Sequence, residues 1–245
     1  MNSTFQNYYY KYLGIDKREL EIGKRVFSSN QRNKSLNGQF VQYLISTHID
    51  GKLIFSVAPQ YYNNLLDLIK GQATENVDEI IEILNTFFSD ILESFSLRKM
   101  YRLIPSVDYG IWDSLNSSVL KLTKEIFMND LENIEEAKKM EIWERKKGEI
   151  LEGRKFVVLE GKKIVSACKI SDIDFGGGNI AVWTDSNYRN KGFGKAVVSE
   201  AVKWCINNNI LPIYWVDSEN TASINLAKNL GFEIRAKEIV VSIKL

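Results

Sequence analysis

Apolar and polar residues alternate from Phe40 to Ile49 and again from Lys52 to Val57, with Asp50-Gly51 between the two runs. Asp-Gly accepts the positive φ angles of a two-residue hairpin turn, so this stretch predicts a β-hairpin. Pro59 ends its second strand. Apolar residues then recur at helical spacing from Tyr61 to Lys70, with Gly71 placed as a C-terminal stop, and from Asn76 to Lys99 through Ile80, Leu84, Phe88, Ile91 and Phe95. Tyr101 to Pro105 predicts a short strand ended by proline. A small α+β unit closes there, which places a boundary near residue 100 and divides the chain into residues 1–100 and 101–245.

Ser117 to Gly153 is charged and mostly helical in pattern, with a break at Asn129-Asp130. Its basic cluster Arg145-Lys146-Lys147 is interleaved with Glu141, Glu144 and Glu149 and reads as a solvated helix face. From residue 155 the pattern turns to strands. Phe156–Leu159 and Ile164–Ile170 flank the turn Glu160-Gly161-Lys162, and Gly176-Gly177-Gly178 leads into a strand over 179–184. A helix over 194–207, a strand over 213–216, a helix over 221–230 and a strand pair over 232–245 follow. The succession predicts an α/β (α+β) domain whose sheet mixes hairpins with crossovers, preceded by the smaller α+β unit.

Composition narrows the chemistry. Of 245 residues, Lys and Arg supply 32 and Asp and Glu 31, so the net charge of +1 carries no footprint for a nucleic-acid backbone or an acidic membrane surface. Two cysteines, Cys168 and Cys205, cannot build a multi-cysteine zinc site, and one histidine, His48, makes a His-ligated metal site or a Ser/His/Asp triad hard to assemble. His48 reads as a half-buried strand residue, and Cys205, with Val198 and Val202 in helical register, as core. Met1 to Tyr10 is polar and aromatic without the pattern of a signal peptide, and no run approaches about 18 apolar residues, so a cytoplasmic location is expected.

Arg189-Asn190-Lys191-Gly192-Phe193-Gly194-Lys195 lies between a predicted strand and a predicted helix. Gly192 and Gly194 remove side chains where a ligand could approach the backbone, and a helix N-terminus offers free N–H groups and positive partial charge. Arg189, Lys191 and Lys195 add full charges, a combination that suits a pyrophosphate as well as a glycine-rich surface turn. The spacing matches neither a Walker A loop nor a Rossmann fingerprint.

Arg189-x-x-Gly192-x-Gly194 after Val182-Trp183-Thr184 resembles the acetyl-CoA pyrophosphate motif of the GNAT acyltransferase superfamily. Asn220 to Phe232, with Asn220, Ser223 and Leu230-Gly231-Phe232, resembles its next motif, so the likeness covers roughly residues 101–245. Within the superfamily the second half is most similar to the group containing zwittermicin A resistance acetyltransferases, on Thr184, Tyr188-Arg189, Cys205, Pro212-x-x-Trp215 and Asn220 to Ser223. The resemblance implies a mixed, splayed sheet and acetyl-CoA as cosubstrate. It places Val182, Trp183 and Thr184, the loop from Arg189 to Lys195, and Asn220 and Ser223 against that cosubstrate. Asn220 also reads as a plain N-cap, and Trp183 and Trp215 either line a tunnel or fill core.

The reaction so implied is N-acetylation by direct attack of an amine, and the acceptor is expected to be a small-molecule amine, without nucleic acid, membrane or metal; a homodimer is compatible. Candidate bases are Asp172 and Asp174, which share a face if extended, and Asp217 and Glu219 after the next strand. Asn179 stands where many superfamily members carry an acid, and Ala227 where many carry a tyrosine. Acetylation of a protein amine and a non-catalytic acyl-CoA-binding regulator are the alternatives.

Overall fold

The three consecutive tyrosines near the N-terminus sit in a helix, α1 (Ser3–Leu13), whose Phe5, Tyr9 and Leu13 are fully buried and whose Phe5 and Tyr9 rings stack at 5.1 Å. Its neighbour α2 (Lys17–Glu21) starts at Asp16, whose carboxylate accepts the N–H of Arg18 at 2.7 Å. These helices belong to a computed structural model that describes residues 3–36, 38–70, 76–106 and 119–245. The chain divides into two units, Met1–Leu103 with Val216–Thr221 and Ile234–Leu245, and Ile104–Trp215 with Ala222–Glu233.

In the first unit, strands β1 (Val26–Ser28), β2 (Ser35–Leu36), β3 (Phe40–Ile49) and β4 (Lys52–Val57) precede helices α3 (Tyr62–Lys70) and α4 (Val77–Ser89). The expected hairpin forms, turning at Asp50 (φ 49°) and Gly51 (φ 77°) with Ile49 opposite Lys52. Strand β5 (Ser96–Pro105) follows, and the last strand of the chain, Phe232–Lys244, runs antiparallel to β3. The sheet order is β1, β4, β3, that last strand and β5, with β1 parallel to β4 and β2 pairing β3. Leu65 and Ile69 of α3 and Ile80, Leu84 and Phe88 of α4 pack on Leu44, Phe55, Val57 and Val241. Each such side chain contributes on the order of 2 kcal/mol when fully buried.

The second unit carries β6 (Val119–Lys121), α5 (Lys124–Asp130), α6 (Glu136–Leu151), β7 (Lys155–Glu160), β8 (Lys163–Asp174), β9 (Gly177–Thr184), α7 (Phe193–Asn207), and most of β10 (Leu211–Asp217) and α8 (Thr221–Asn229), whose Val216, Asp217 and Thr221 fall in the first. Its sheet order is β10, β9, β8, β7, β6, all antiparallel except β9 with β10. Successive side chains of a strand take opposite faces. Ala167 and Val157 therefore meet the α5–α6 cluster around Phe127 and Trp143, while Ser166 and Thr184 face α7. A side chain at Gly178 would place Cβ 2.8 Å from Ile170 Cγ2, which is why the second residue of β9 is glycine.

Several expectations are corrected. The helix predicted over 76–99 ends at Ser89, and Ser96 to Lys99 join β5, because strand pairing there overrides a helical apolar period; Phe95 still packs on the same core. Val119–Lys121 is a strand paired with β7 instead of helix. The expected strand pair over 232–245 is one strand, β11 (Phe232–Lys244), with a bulge at Val241/Ser242; it contains neither Gly nor Pro to turn it. His48 is exposed. Gly71 and Ser117 lie outside the described residues.

Candidate functional site

The strand β9, the loop after it and the start of α7 form the most specific local geometry in the second unit. Thr184 ends β9, where its Oγ1 lies 2.9 Å from Ser166 Oγ on the neighbouring strand. Asp185 then anchors a 3-10 turn, Ser186–Tyr188, by accepting the N–H of Asn187 at 3.0 Å. Lys163 lies 2.9 Å from the other side of that carboxylate, and its hydrogen bond holds the Asp185 carboxyl below its usual range. Asn190 (φ 62°) and Gly192 (φ 84°) reverse the chain in left-handed conformations, and Gly192 directly precedes α7.

No side chain caps α7. The first helical hydrogen bond runs from Ala196 N–H to the Gly192 carbonyl at 3.1 Å, so the N–H groups of Phe193, Gly194 and Lys195 have no partner within the helix. Space around Gly192 is open for 4 Å, whereas a Cβ at Gly194 would lie 3.3 Å from Thr184 Oγ1. Arg189 and Lys191 are exposed, Arg189 Nε reaching the Thr184 carbonyl at 3.4 Å and Lys191 Nζ sitting 4.8 Å from the Tyr188 ring centroid. An open backbone turn, uncapped amides and local cations fit a diphosphate.

Pairing between the parallel strands β9 and β10 covers Leu211 with Gly177, Pro212 with Gly178 and Ile213 with Asn179, and stops there. The side of β9 over Ile180 to Thr184 that faces away from β8 thus has backbone groups that β10 does not take up. That is where an extended arm with amide groups could pair with the chain. The vertex of this opening carries Asn179, whose Oδ1 is buried without a hydrogen-bond partner among the described residues.

On the α5–α6 side of the sheet a cavity of about 530 Å³ opens beside Trp183, a residue 51% exposed. Phe127 and Ala167 form part of its wall, and Lys155, Lys162 and Lys163 bring positive charge to it. Asp130 and Glu132 supply carboxylates. Asp130 Oδ1 is fixed by the Ile164 N–H at 2.7 Å, and Glu132 is paired with Lys162 at 3.2 Å. Lys155 is half-buried, and that burial pushes its ammonium below the usual lysine range, Glu149 and Asp130 opposing the shift in part.

Asp172 and Asp174 lie at the opposite end of β9 from the loop. Asp174 faces Gly177 across the β8–β9 turn, roughly 23 Å of strand from Thr184 at about 3.3 Å per residue. Asp172 has φ 46° and the β8–β9 register shifts between Ser171 and Asp174, so the regular extended segment that would put both carboxylates on one face is interrupted there. In the turn before α8, Asp217 Oδ1 accepts the Glu219 N–H at 3.0 Å and the Asp217 carbonyl accepts the Asn220 N–H at 3.0 Å, while Glu219 and Asn220 are exposed. Ser223 shares a 2.7 Å hydrogen bond with Tyr214, a pair that no motif signals. Burial pushes both thiols up, Cys205 to about 12, so neither is a ready nucleophile. Among the described residues no His, Cys, Asp or Glu group clusters to hold a metal, and no helix is long and apolar enough to cross a membrane.

A model of the GNAT acetyltransferase family matches residues 23–239, a span reaching far before residue 101. The chain belongs to the GNAT acetyltransferase family. GNAT acetyltransferases use acetyl-CoA as acyl donor, and the uncapped α7 amides, Gly192 and the opening between β9 and β10 fit its diphosphate and its amide-bearing arm. The fold is similar to that of a GNAT acetyltransferase from Colwellia psychrerythraea, at TM-score 0.51 and 12% identity, covering 100% of this chain and 97% of that one. A GCN5-related N-acetyltransferase-like protein from Streptococcus suis gives TM-score 0.48 and 18% identity over 84% of each chain. PaiA N-acetyltransferase from Thermoplasma acidophilum, solved in complex with coenzyme A, gives 0.36 and 16% over 52% of this chain and 98% of that one. No curated protein matches.

Proposed function

We propose that this GNAT acetyltransferase moves the acetyl group of acetyl-CoA to a primary amine of a small molecule. One observation supports the small acceptor above all: the cavity of about 530 Å³ borders β9 at Trp183, between the two residues, Val182 and Thr184, that the family motif puts against the acyl donor. This volume is that of a small-molecule site, typically about 300–1,000 Å³. The antibiotic-type acceptor suggested by the zwittermicin A resistance group rests on the resemblance of Thr184, Tyr188-Arg189 and Asn220 to Ser223 alone.

Bound acetyl-CoA supplies an electrophilic thioester carbonyl. The chain's residues do the rest. Phe193, Gly194 and Lys195 N–H groups hold the diphosphate, with Arg189, Lys191 and Lys195 neutralising it and Asn190 completing the turn. Free backbone groups of Val182 and Thr184 align the arm, and the family motif adds Ser223 of α8. An amine with a pKa of about 10.4 arrives as ammonium and must lose a proton before its lone pair can form the new C–N bond. Asp130, oriented by the Ile164 N–H, takes that proton directly or through a water. The C–N bond forms on the carbonyl carbon, the C–S bond breaks, and the second proton that the nitrogen sheds on becoming an amide goes to the departing thiolate. A backbone N–H of β9 stabilises the charge on the carbonyl oxygen.

The test is release of free thiol from acetyl-CoA with a panel of small amines, read beside acetylation of peptide and protein lysines. Turnover with small amines is expected. Turnover confined to protein lysines would make the chain a protein acetyltransferase, and thermal stabilisation by acetyl-CoA without any turnover would make it a regulator.

A further inference from the structure

The charges around the Trp183 cavity are not equivalent. Lys162 is held by Glu132 at 3.2 Å and Lys163 by Asp185 at 2.9 Å. Among the described residues no carboxylate lies within ion-pair or hydrogen-bond distance of the Lys155 ammonium, half-buried on β7, although Glu149 and Asp130 act on it from farther away. Its neighbour in register on β8, Lys169, takes Glu149 at 3.2 Å and, with Lys146, repels the Lys155 ammonium, so Glu149 and Asp130 offset the burial of Lys155 only in part. A partly desolvated cation that no anion touches directly is costly, and an oxyanion entering the cavity would supply that direct contact as a charge-assisted hydrogen bond. Asp130 stands on the same cavity with its orientation fixed, so the wall offers an anion for an ammonium and a cation for an oxyanion at once.

We propose that the cavity beside Trp183 takes an acceptor amine that also carries an oxyanion, a carboxylate or a phosphate, and that Lys155 is the residue that recognises the oxyanion. This rests on reading the protein as a small-amine acetyltransferase and narrows its substrate class. Burial pushes Lys155 below the usual lysine range, in keeping with a site that gains by receiving negative charge.

The experiment compares the full-length protein with Lys155→Met and Lys155→Arg in thiol release from acetyl-CoA, using two matched pairs: tyrosine against tyramine, and O-phosphoethanolamine against ethanolamine. The pairs separate carboxylate from phosphate. In the unaltered protein the anionic member of one pair is expected to exceed its neutral partner by about tenfold in kcat/KM, through KM. That ratio falls to near one in Lys155→Met and is largely kept in Lys155→Arg. A ratio that is near one from the start, or that survives Lys155→Met, overturns the assignment. Should none of the four compounds be acetylated, the small-amine reading fails, and titration calorimetry of the same compounds tests the site by itself. Binding of an anionic member that disappears in Lys155→Met then supports the oxyanion site, and no binding to the unaltered protein overturns it.

Discussion

Arg102 and Glu238, 136 residues apart in sequence, meet inside the first unit with Nε 2.7 Å from Oε1 and side-chain exposures of 4% and 0%. A second guanidinium contact to Oε2 at 3.3 Å, the Tyr8 hydroxyl accepting from Arg102 Nη1 at 2.9 Å and the Tyr9 hydroxyl donating to Glu238 at 2.8 Å add to the pair. The pair ties α1, β5 and β11 together. Removing one charge leaves the other buried and unpaired, so Glu238→Gln or Arg102→Met is expected to cost about 3–5 kcal/mol in urea unfolding. The double variant Arg102→Met/Glu238→Gln should cost less than the sum of the two, by an interaction energy of about 1–3 kcal/mol.

Burial also sets an alkaline limit. Tyr214, whose hydroxyl bonds Ser223, is pushed up to about 12 by burial. The unfolded hydroxyl ionises near pH 10, so between about pH 10 and 12 the unfolded state holds fewer protons than the folded one and stability falls as pH rises. One such group contributes a loss of about 1.4 kcal/mol per pH unit in that window. Tyr8 and Tyr9, also raised by burial, add to it. Tyr214→Phe is expected to flatten the fall of stability over this window, measured by unfolding midpoints from pH 8 to 12. An unchanged slope would mean that Tyr214 ionises as an exposed tyrosine.

Local rules read much of this from sequence, and long-range juxtapositions escaped. The hairpin at Asp50-Gly51 and the glycine loop before α7 are set by residues a few positions apart, so spacing alone reveals them. Helix α1 carries aromatic residues with no strong helical preference and forms because Phe5, Tyr9 and Leu13 find a core. Asp130, Lys155 and Trp183 belong to three elements brought together only by folding of the second unit, and no motif links them. Tyr214 and Ser223 are nine residues apart across a strand–helix turn, and their bond could be suspected only after β10 and α8 were placed.

Two glycines of the loop make different demands. Gly192 has positive φ and open surroundings, while Gly194 abuts Thr184 and Leu226. Gly192→Val is expected to abolish the thermal stabilisation given by acetyl-CoA, while the strain of the left-handed conformation costs the free protein about 1–3 kcal/mol. Gly194→Val should destabilise the free protein through its contacts as well. Normal acetyl-CoA binding by Gly192→Val, measured by calorimetry, would remove the loop from the donor site.

The proton taken from the incoming ammonium gives the sharpest kinetic test. Asp130→Asn keeps a carbonyl oxygen able to accept the Ile164 N–H, so the wall of the cavity is preserved while the base is lost. With the best small amine, kcat is expected to fall by about a hundredfold or more. The remaining activity should rise steadily with pH, as the fraction of free amine in solution grows, without the plateau that an enzyme-bound base confers. Acetyl-CoA binding should be unaffected, because the α7 amides and the Arg189–Lys195 loop are untouched. If Asp130→Asn retains kcat and its pH profile, the base lies elsewhere.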